Sequence, residues 1–343
     1  MNDLLLTAPA PRQLRVVQWP IFLREDSIMK HPLILVAILG ALFLTPGCVL
    51  AQPDLRPELE RAFSAYFSAL ERGDAEEFKR SLATFRYMKM RNQAISRGEK
   101  FPDSFFDEVR KHGGFPIDLK KLKHVKTVPR GNVAYMIYYG KESINLSSDP
   151  AAKEKLVPVI ASLLFVKEGD QWKFCEAERT HFEEKDLSVP PAKLANEGDP
   201  IFHESEGALS GNLPAVPPEY PTPDYIGSIV INAENCKVTV KYNAETDSIE
   251  DGSFATPLIG GLRRGKNAIS INVEPLSEKT ANARKSTGTP HAEVEVVVYS
   301  DQGRSSAKVF HFETDRPGEV NKEFEVTDEI ITKAKQMSLR PIR

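Results

Sequence analysis

The sequence predicts an α+β unit, helices first and an antiparallel sheet after them, followed by a separate all-β sandwich. Three observations predict it. Apolar residues recur every three or four positions up to about residue 111 and every second position from residue 119. A proline-rich stretch with little apolar periodicity fills residues 183–223. Beyond it, short apolar runs alternate with turn residues to the end of the chain.

Before these segments comes an export signal. Residues 33–44 are an apolar run of 12 residues, well short of the roughly 20 that span a bilayer. Met29-Lys30-His31 supplies a start and a positive flank, and Val49-Leu50-Ala51 places small residues before Gln52. The sequence therefore predicts a signal peptide over 29–51, cleaved after Ala51, with residues 1–28 an upstream mis-start. The protein is expected in the periplasm or outside the cell. An alternative localisation, a membrane-anchored lipoprotein, rests on Leu44-Thr45-Pro46-Gly47-Cys48, which is similar to a bacterial lipobox and makes Cys48 the lipidation candidate. Membrane contact is expected only through these features.

Over 54–70, Leu55, Leu59, Ala62, Phe63, Tyr66, Phe67 and Leu70 form one face of an amphipathic helix. Gly73 stops it, and Asp74 with Glu77 reads as a capping-box start for a second helix carrying Phe78, Leu82 and Phe85. A short helix from Asp103 to Lys111 ends before Gly113-Gly114. Strands are then predicted over Leu119 to Val128, Val133 to Tyr139, Leu156 to Val166 and Trp172 to Arg179, with turns at 129–132 and 168–170. This order is an α+β plan over 55–182.

The opening helix, the Gly73-Asp74 break and the closing Gly-Asp-Gln-Trp-Lys-Phe at 169–174 are similar to the nuclear transport factor 2-like superfamily, which includes SnoaL-like proteins. That resemblance implies a cone: a curved antiparallel sheet wrapped around a pocket and covered by helices. The implied pocket is lined by Phe63, Tyr66, Phe67, Tyr135, Tyr139, Trp172, Phe174 and Glu176. Strand alternation lines up Trp172, Phe174, Glu176 and Glu178 on one face, and Tyr135, Ile137 and Tyr139 also share a face. A carboxylate in an apolar pocket has a raised pKa and acts as a base, which makes Glu176 and Tyr135 the weak catalytic candidates. The alternatives are a solvated Glu176 and a Tyr135 that only packs.

Residues 183–223 carry Pro190, Pro191, Pro200, Pro214, Pro217, Pro218, Pro221 and Pro223 and read as a stiffened linker. Strands are expected at 226–232, 236–242, 267–273, 292–299 and 307–312, giving a β-sandwich over 224–315. Leu262 to Ile269 resembles the turn-and-strand of immunoglobulin-like and jelly-roll modules, with Gly265 in the turn, Asn267 capping it and Ile269 in the core. Residues 316–343 read as a charged tail with a short helix near 328–336.

The 45 basic and 48 acidic side chains leave a net charge of -3, which is no nucleic-acid footprint. The basic run from Arg110 to Arg130 reads as a solvated face. Cys48, Cys175 and Cys236 are too few and too distant for a disulfide framework. No phosphate loop, nucleotide fingerprint, Gly-x-Ser-x-Gly or His-Glu-x-x-His occurs. The histidines at 112, 124, 181, 203, 291 and 311 are scattered along the chain, so neither a metal nor a cofactor is expected. Three functions follow. The first is a non-enzymatic envelope protein binding a small apolar ligand or a protein partner. The second is a structural or assembly protein with no small-molecule site. The third is an isomerase- or dehydratase-like enzyme. A buried Glu176 beside Trp172 distinguishes the third from the first.

Overall fold

The computed structural model describes residues 54–111, 117, 119–144, 155–181, 212–276, 280, 288–300 and 305–332. The expected signal peptide with Cys48, most of the linker and the end of the tail lie outside the described residues. Among the described residues no helix is long and apolar enough to cross a membrane.

The first lobe opens with α1, Arg56–Arg72. Pro57 lies in its first turn, where a missing N–H costs nothing. Gly73 closes it at φ 66°, and the N–H groups of Gly73 and Asp74 return to the carbonyls of Leu70 and Ala69. Asp74 caps α2, Ala75–Ser81, its Oδ1 accepting from the Glu77 N–H at 3.0 Å. The second helix is shorter than the sequence suggests. Leu82 is extended and bridges Phe174, and the Ala83 N–H donates to the Phe174 carbonyl at 2.8 Å. Phe85 belongs instead to a further helix, α3, Thr84–Ser96; α4, Asp103–Lys111, follows as expected.

A 3-10 turn at Leu119–Lys121 replaces the start of the first expected strand. The strands β1 Lys123–Arg130, β2 Val133–Ile144, β3 Lys155–Glu168 and β4 Gln171–His181 then form an antiparallel sheet in the order β1-β2-β3-β4. Ala134, Met136, Tyr138, Leu163, Phe165 and Phe174 face the helices and build one core with Leu59, Phe63, Tyr66, Leu70, Phe78 and Phe106.

The second lobe contains β5 Ile226–Tyr242, β6 Glu245–Pro257, β7 Gly265–Pro275, β8 His291–Ser300, β9 Ser305–Thr314 and β10 Gly318–Val326. These strands form one six-stranded hydrogen-bonded sheet. Two strands, 226–232 and 236–242, are expected from the sequence where β5 runs unbroken. Its bend is a bulge: Asn235 takes φ 56°, its N–H donates to Asp251 Oδ1 at 2.9 Å, and Asp251 takes φ 51°. The bulge shifts the buried positions from Ile229, Ile231 and Ala233 to Cys236, Val238 and Val240, so both halves keep their apolar side on one core. β6 pairs with one edge of β5 along its length, while β8 takes the first half of the other edge and β7 the second. The segment that reads as a charged tail supplies β10 along β7. At the start of β7, Gly265 has φ 86°, Asn267 bonds both ways to the backbone of Arg263, and Ile269 is buried.

The end of α3 meets the second lobe. Asn92 Nδ2 donates to the Pro218 carbonyl at 2.8 Å, Arg91 Nη1 donates to the Tyr220 carbonyl at 2.9 Å, and the Gly260 N–H donates to Ser96 Oγ at 2.8 Å. Asn92 and Ser96 are buried there.

Candidate functional site

The helix-covered face of the first sheet is the expected pocket, and aromatic side chains occupy it. Phe63 and Tyr66 come from the inner stripe of α1, where steps of three and four bring them over β4. The Phe174 ring stands 4.4 Å from that of Tyr66, 5.4 Å from that of Phe63 and 5.9 Å from that of Phe165, measured between centroids. Phe78 continues the stack toward Phe106 at 5.2 Å. Met136 and Phe165 beneath them are wholly buried. Phe67 lies against Phe63, and Trp172 packs half-buried at the margin of the same core. Burial pushes the Tyr66 phenol far above its ordinary pKa, so it stays protonated.

Tyr135, Tyr139 and Glu176 lie on the other face of the sheet. The alternation that placed Glu176 with Trp172 and Phe174 breaks at Cys175, where the register slips: Phe174 pairs with Phe165, but Glu176 pairs with Leu164. Phe165 is a core residue under the helices, whereas Leu164 packs with Tyr135 and Cys175 on the outer face. Tyr135 and Glu176 therefore share one row of the outer face with the β3 residue Leu164 between them. Their backbones stand two strand spacings apart, about 10 Å. Tyr139 packs farther along the same face with Ile137 and Ile160.

The surroundings of Glu176 are charged. Burial lowers the pKa of the Lys89 ammonium, nearby Arg86 adds to this, and Glu176 and Glu245 oppose it. The Cys175 thiol is pushed up to about 12, by burial first and by Glu176 second, so it is an inert thiol at neutral pH.

A polar group that sequence reasoning missed sits where α1 meets β1 and β2. The Tyr138 hydroxyl donates to Glu60 Oε1 at 2.9 Å, and Arg56 Nε donates to the same oxygen at 2.7 Å. The His124 ring stands edge-on to Tyr138 at 5.4 Å, its Nε2 bonded to Thr127 Oγ1 at 2.8 Å. Burial pushes the Glu60 carboxyl up, but the bonds from Arg56 and Tyr138 outweigh it and hold the group below its ordinary pKa. The Tyr138 phenol is raised by burial and by Glu60, and the His124 imidazole is lowered by burial and by Arg56. Near neutral pH the group is thus an ionised carboxylate held by a guanidinium and a phenol. The i,i+4 spacing of Arg56 and Glu60 was the one signal available beforehand.

Among the described residues, those that could ligate a metal gather in the second sheet, where the ligand atoms of Glu293, Glu295 and His311 lie within 4.8 Å of one another.

No family model matches the sequence, and none of the curated proteins matches it. Two solved structures show similarity. One is an uncharacterised protein with a cystatin-like fold from Caulobacter vibrioides, 13% identical, covering 43% of this chain and 96% of its own, at a TM-score of 0.23. The other is a putative Ca/calmodulin-dependent kinase II association domain from Exiguobacterium sibiricum 255-15, 11% identical, covering 39% of this chain and 98% of its own, at a TM-score of 0.21.

Proposed function

We propose that this chain is an exported, non-enzymatic envelope protein that works by binding another protein. In this reading the first lobe is a cone of the nuclear transport factor 2-like kind, used as a scaffold, and the second is a sandwich-like attachment module. Export follows from the apolar run at 33–44, its Lys30 flank and the small residues before Gln52. The observation that carries the binding function is the packing of Phe174 against Tyr66, Phe63 and Phe165 over the helix-covered face. A concavity filled by its own rings leaves little space for substrate, and the two groups with catalytic chemistry point away from it.

Native mass spectrometry of the protein purified from its own envelope tests this. A chain beginning near Gln52 that carries a second polypeptide is the expected result. A diacylglycerol adduct on Cys48 makes it a lipoprotein. A retained small molecule without any protein overturns the reading.

One observation favours a small apolar ligand instead. Trp172 Nε1 is buried and has no hydrogen-bond partner among the described residues, a state that costs about 1–3 kcal/mol. A ligand with an acceptor at Trp172 relieves that cost. Titration with hydrophobic probes, followed by Trp172 emission against a Trp172→Phe control, detects such a ligand; unchanged emission removes it.

A further inference from the structure

β8 and β9 present alternating histidines and carboxylates on the face turned away from the second core. His291, Glu293 and Glu295 alternate along β8 with the buried Ala292, Val294 and Val296. Across the ladder, Glu295 faces His311 and Glu293 faces Glu313. Two carboxylates directly opposite each other destabilise a strand pair; Lys308 offsets the charge of Glu295 and Asn232 bonds Glu293.

The imidazole between them does not cure the repulsion by hydrogen bonding. His311 Nδ1 is 3.5 Å from Glu293 Oε1 and 3.4 Å from Glu295 Oε1, and its Nε2 is 3.6 Å from Glu313 Oε2. All three separations exceed the usual N–H···O range of about 2.7–3.2 Å. The two separations from Nδ1 match a different geometry. Ligand atoms at about 2.0–2.1 Å from a tetrahedral zinc ion stand roughly 3.4 Å apart. The Glu293 carboxylate is also oriented from behind, since Asn232 Nδ2 donates to its Oε2 at 2.9 Å. Ligating carboxylates are held by such outer hydrogen bonds. Beside it, where β5 and β6 bulge, Glu293 joins His291, Glu234 and Asp251 in lining a hollow of about 350 Å³. The hollow gives water access to complete the coordination.

We propose that Glu293, Glu295 and His311 form a binding site for a divalent transition-metal ion, with zinc the best match to one imidazole and two carboxylates. The second histidine, His291, and Glu313 stand at its edge, His291 Nε2 lying 3.9 Å from Glu313 Oε1. Lys308 competes with the ion, because its ammonium bonds Glu295.

Isothermal titration of zinc into the chelator-treated full chain tests the site. One ion per chain with a saturable isotherm is expected. His311→Ala should abolish that isotherm, Asn232→Ala should weaken it by about tenfold through loss of the outer hydrogen bond, and Lys308→Gln should tighten it. His311 is exposed, and a circular-dichroism melt without metal checks that the variant remains folded. Cobalt substitution gives a second readout, since visible bands of a tetrahedral site should vanish in His311→Ala. Absence of saturable binding, or an affinity unchanged by His311→Ala, overturns the proposal and leaves a merely acidic sheet face.

Discussion

At the scale of single residues, Glu168 makes contacts that only the folded sheet brings together. Its carboxylate takes the Thr84 N–H at 2.7 Å, the Thr84 hydroxyl at 2.5 Å and Lys173 Nζ at 2.8 Å, tying the β3–β4 turn to the start of α3. Burial pushes its pKa up, but Lys173 and Thr84 outweigh burial and hold the group below its ordinary value. A carboxyl with a depressed folded pKa stabilises the fold above the unfolded value of 4.5, and that contribution is lost as pH falls through the folded pKa. Glu168→Gln is therefore expected to lower stability at neutral pH by about 1–3 kcal/mol and to flatten the acid limb of a stability-versus-pH curve. Equal slopes below about pH 4.5 in parent and variant would refute the assignment. Local contacts of this kind were readable where they are short in sequence: Asp74 and Glu77 announce their cap three residues apart. Glu168 and Thr84 do not, because 84 residues separate them and only the sheet brings them together.

At the scale of elements, β4 shows where alternation stops being informative. Trp172 and Phe174 follow the two-residue period, and Cys175 then occupies an extra position that turns Glu176 to the outer face. A bulge leaves no composition signal, so the sequence could not reveal the turn. The same holds for β5, whose bulge at Asn235 reads as a turn. β6 and β10 were missed for another reason. Both are polar strands, Glu245–Pro257 and Gly318–Val326, whose sheet position rests on pairing with β5 and β7 more than on apolar rhythm. The β4 geometry makes a sharp contrast between neighbours. Phe174→Ala should cost about 3–5 kcal/mol in chemical denaturation, because it removes a ring central to the core. Glu176→Ala should cost less than about 1 kcal/mol, since the residue is only half-buried. Comparable losses for the two would place Glu176 back beside Phe174.

At the scale of the molecule, the relation of the two lobes turns on α3. Residues 183–223 read as a linker because prolines without apolar periodicity resemble any other extended connection. Its last part, however, is recognised by α3 through Arg91 and Asn92, and the Leu258–Leu262 turn is recognised through Ser96. Nothing in the sequence of α3 marks these polar residues as different from a solvated helix face; what distinguishes them is burial, with Asn92 2% and Ser96 0% exposed. Asn92 uses both ends of its amide, Nδ2 donating to the Pro218 carbonyl and Oδ1 accepting from the Tyr220 N–H. An apolar replacement of similar size fills the space and leaves those two backbone groups unpaired, at about 1–3 kcal/mol each. That penalty falls on the junction and on neither core, since both cores are built from residues of their own lobe. The parent is accordingly expected to unfold in one calorimetric transition, with the lobes coupled through α3. Asn92→Leu should lower the midpoint and separate the trace into two transitions, one for each core. Two transitions already present in the parent, or one unchanged transition in Asn92→Leu, would show that the α3 contacts do not couple the lobes.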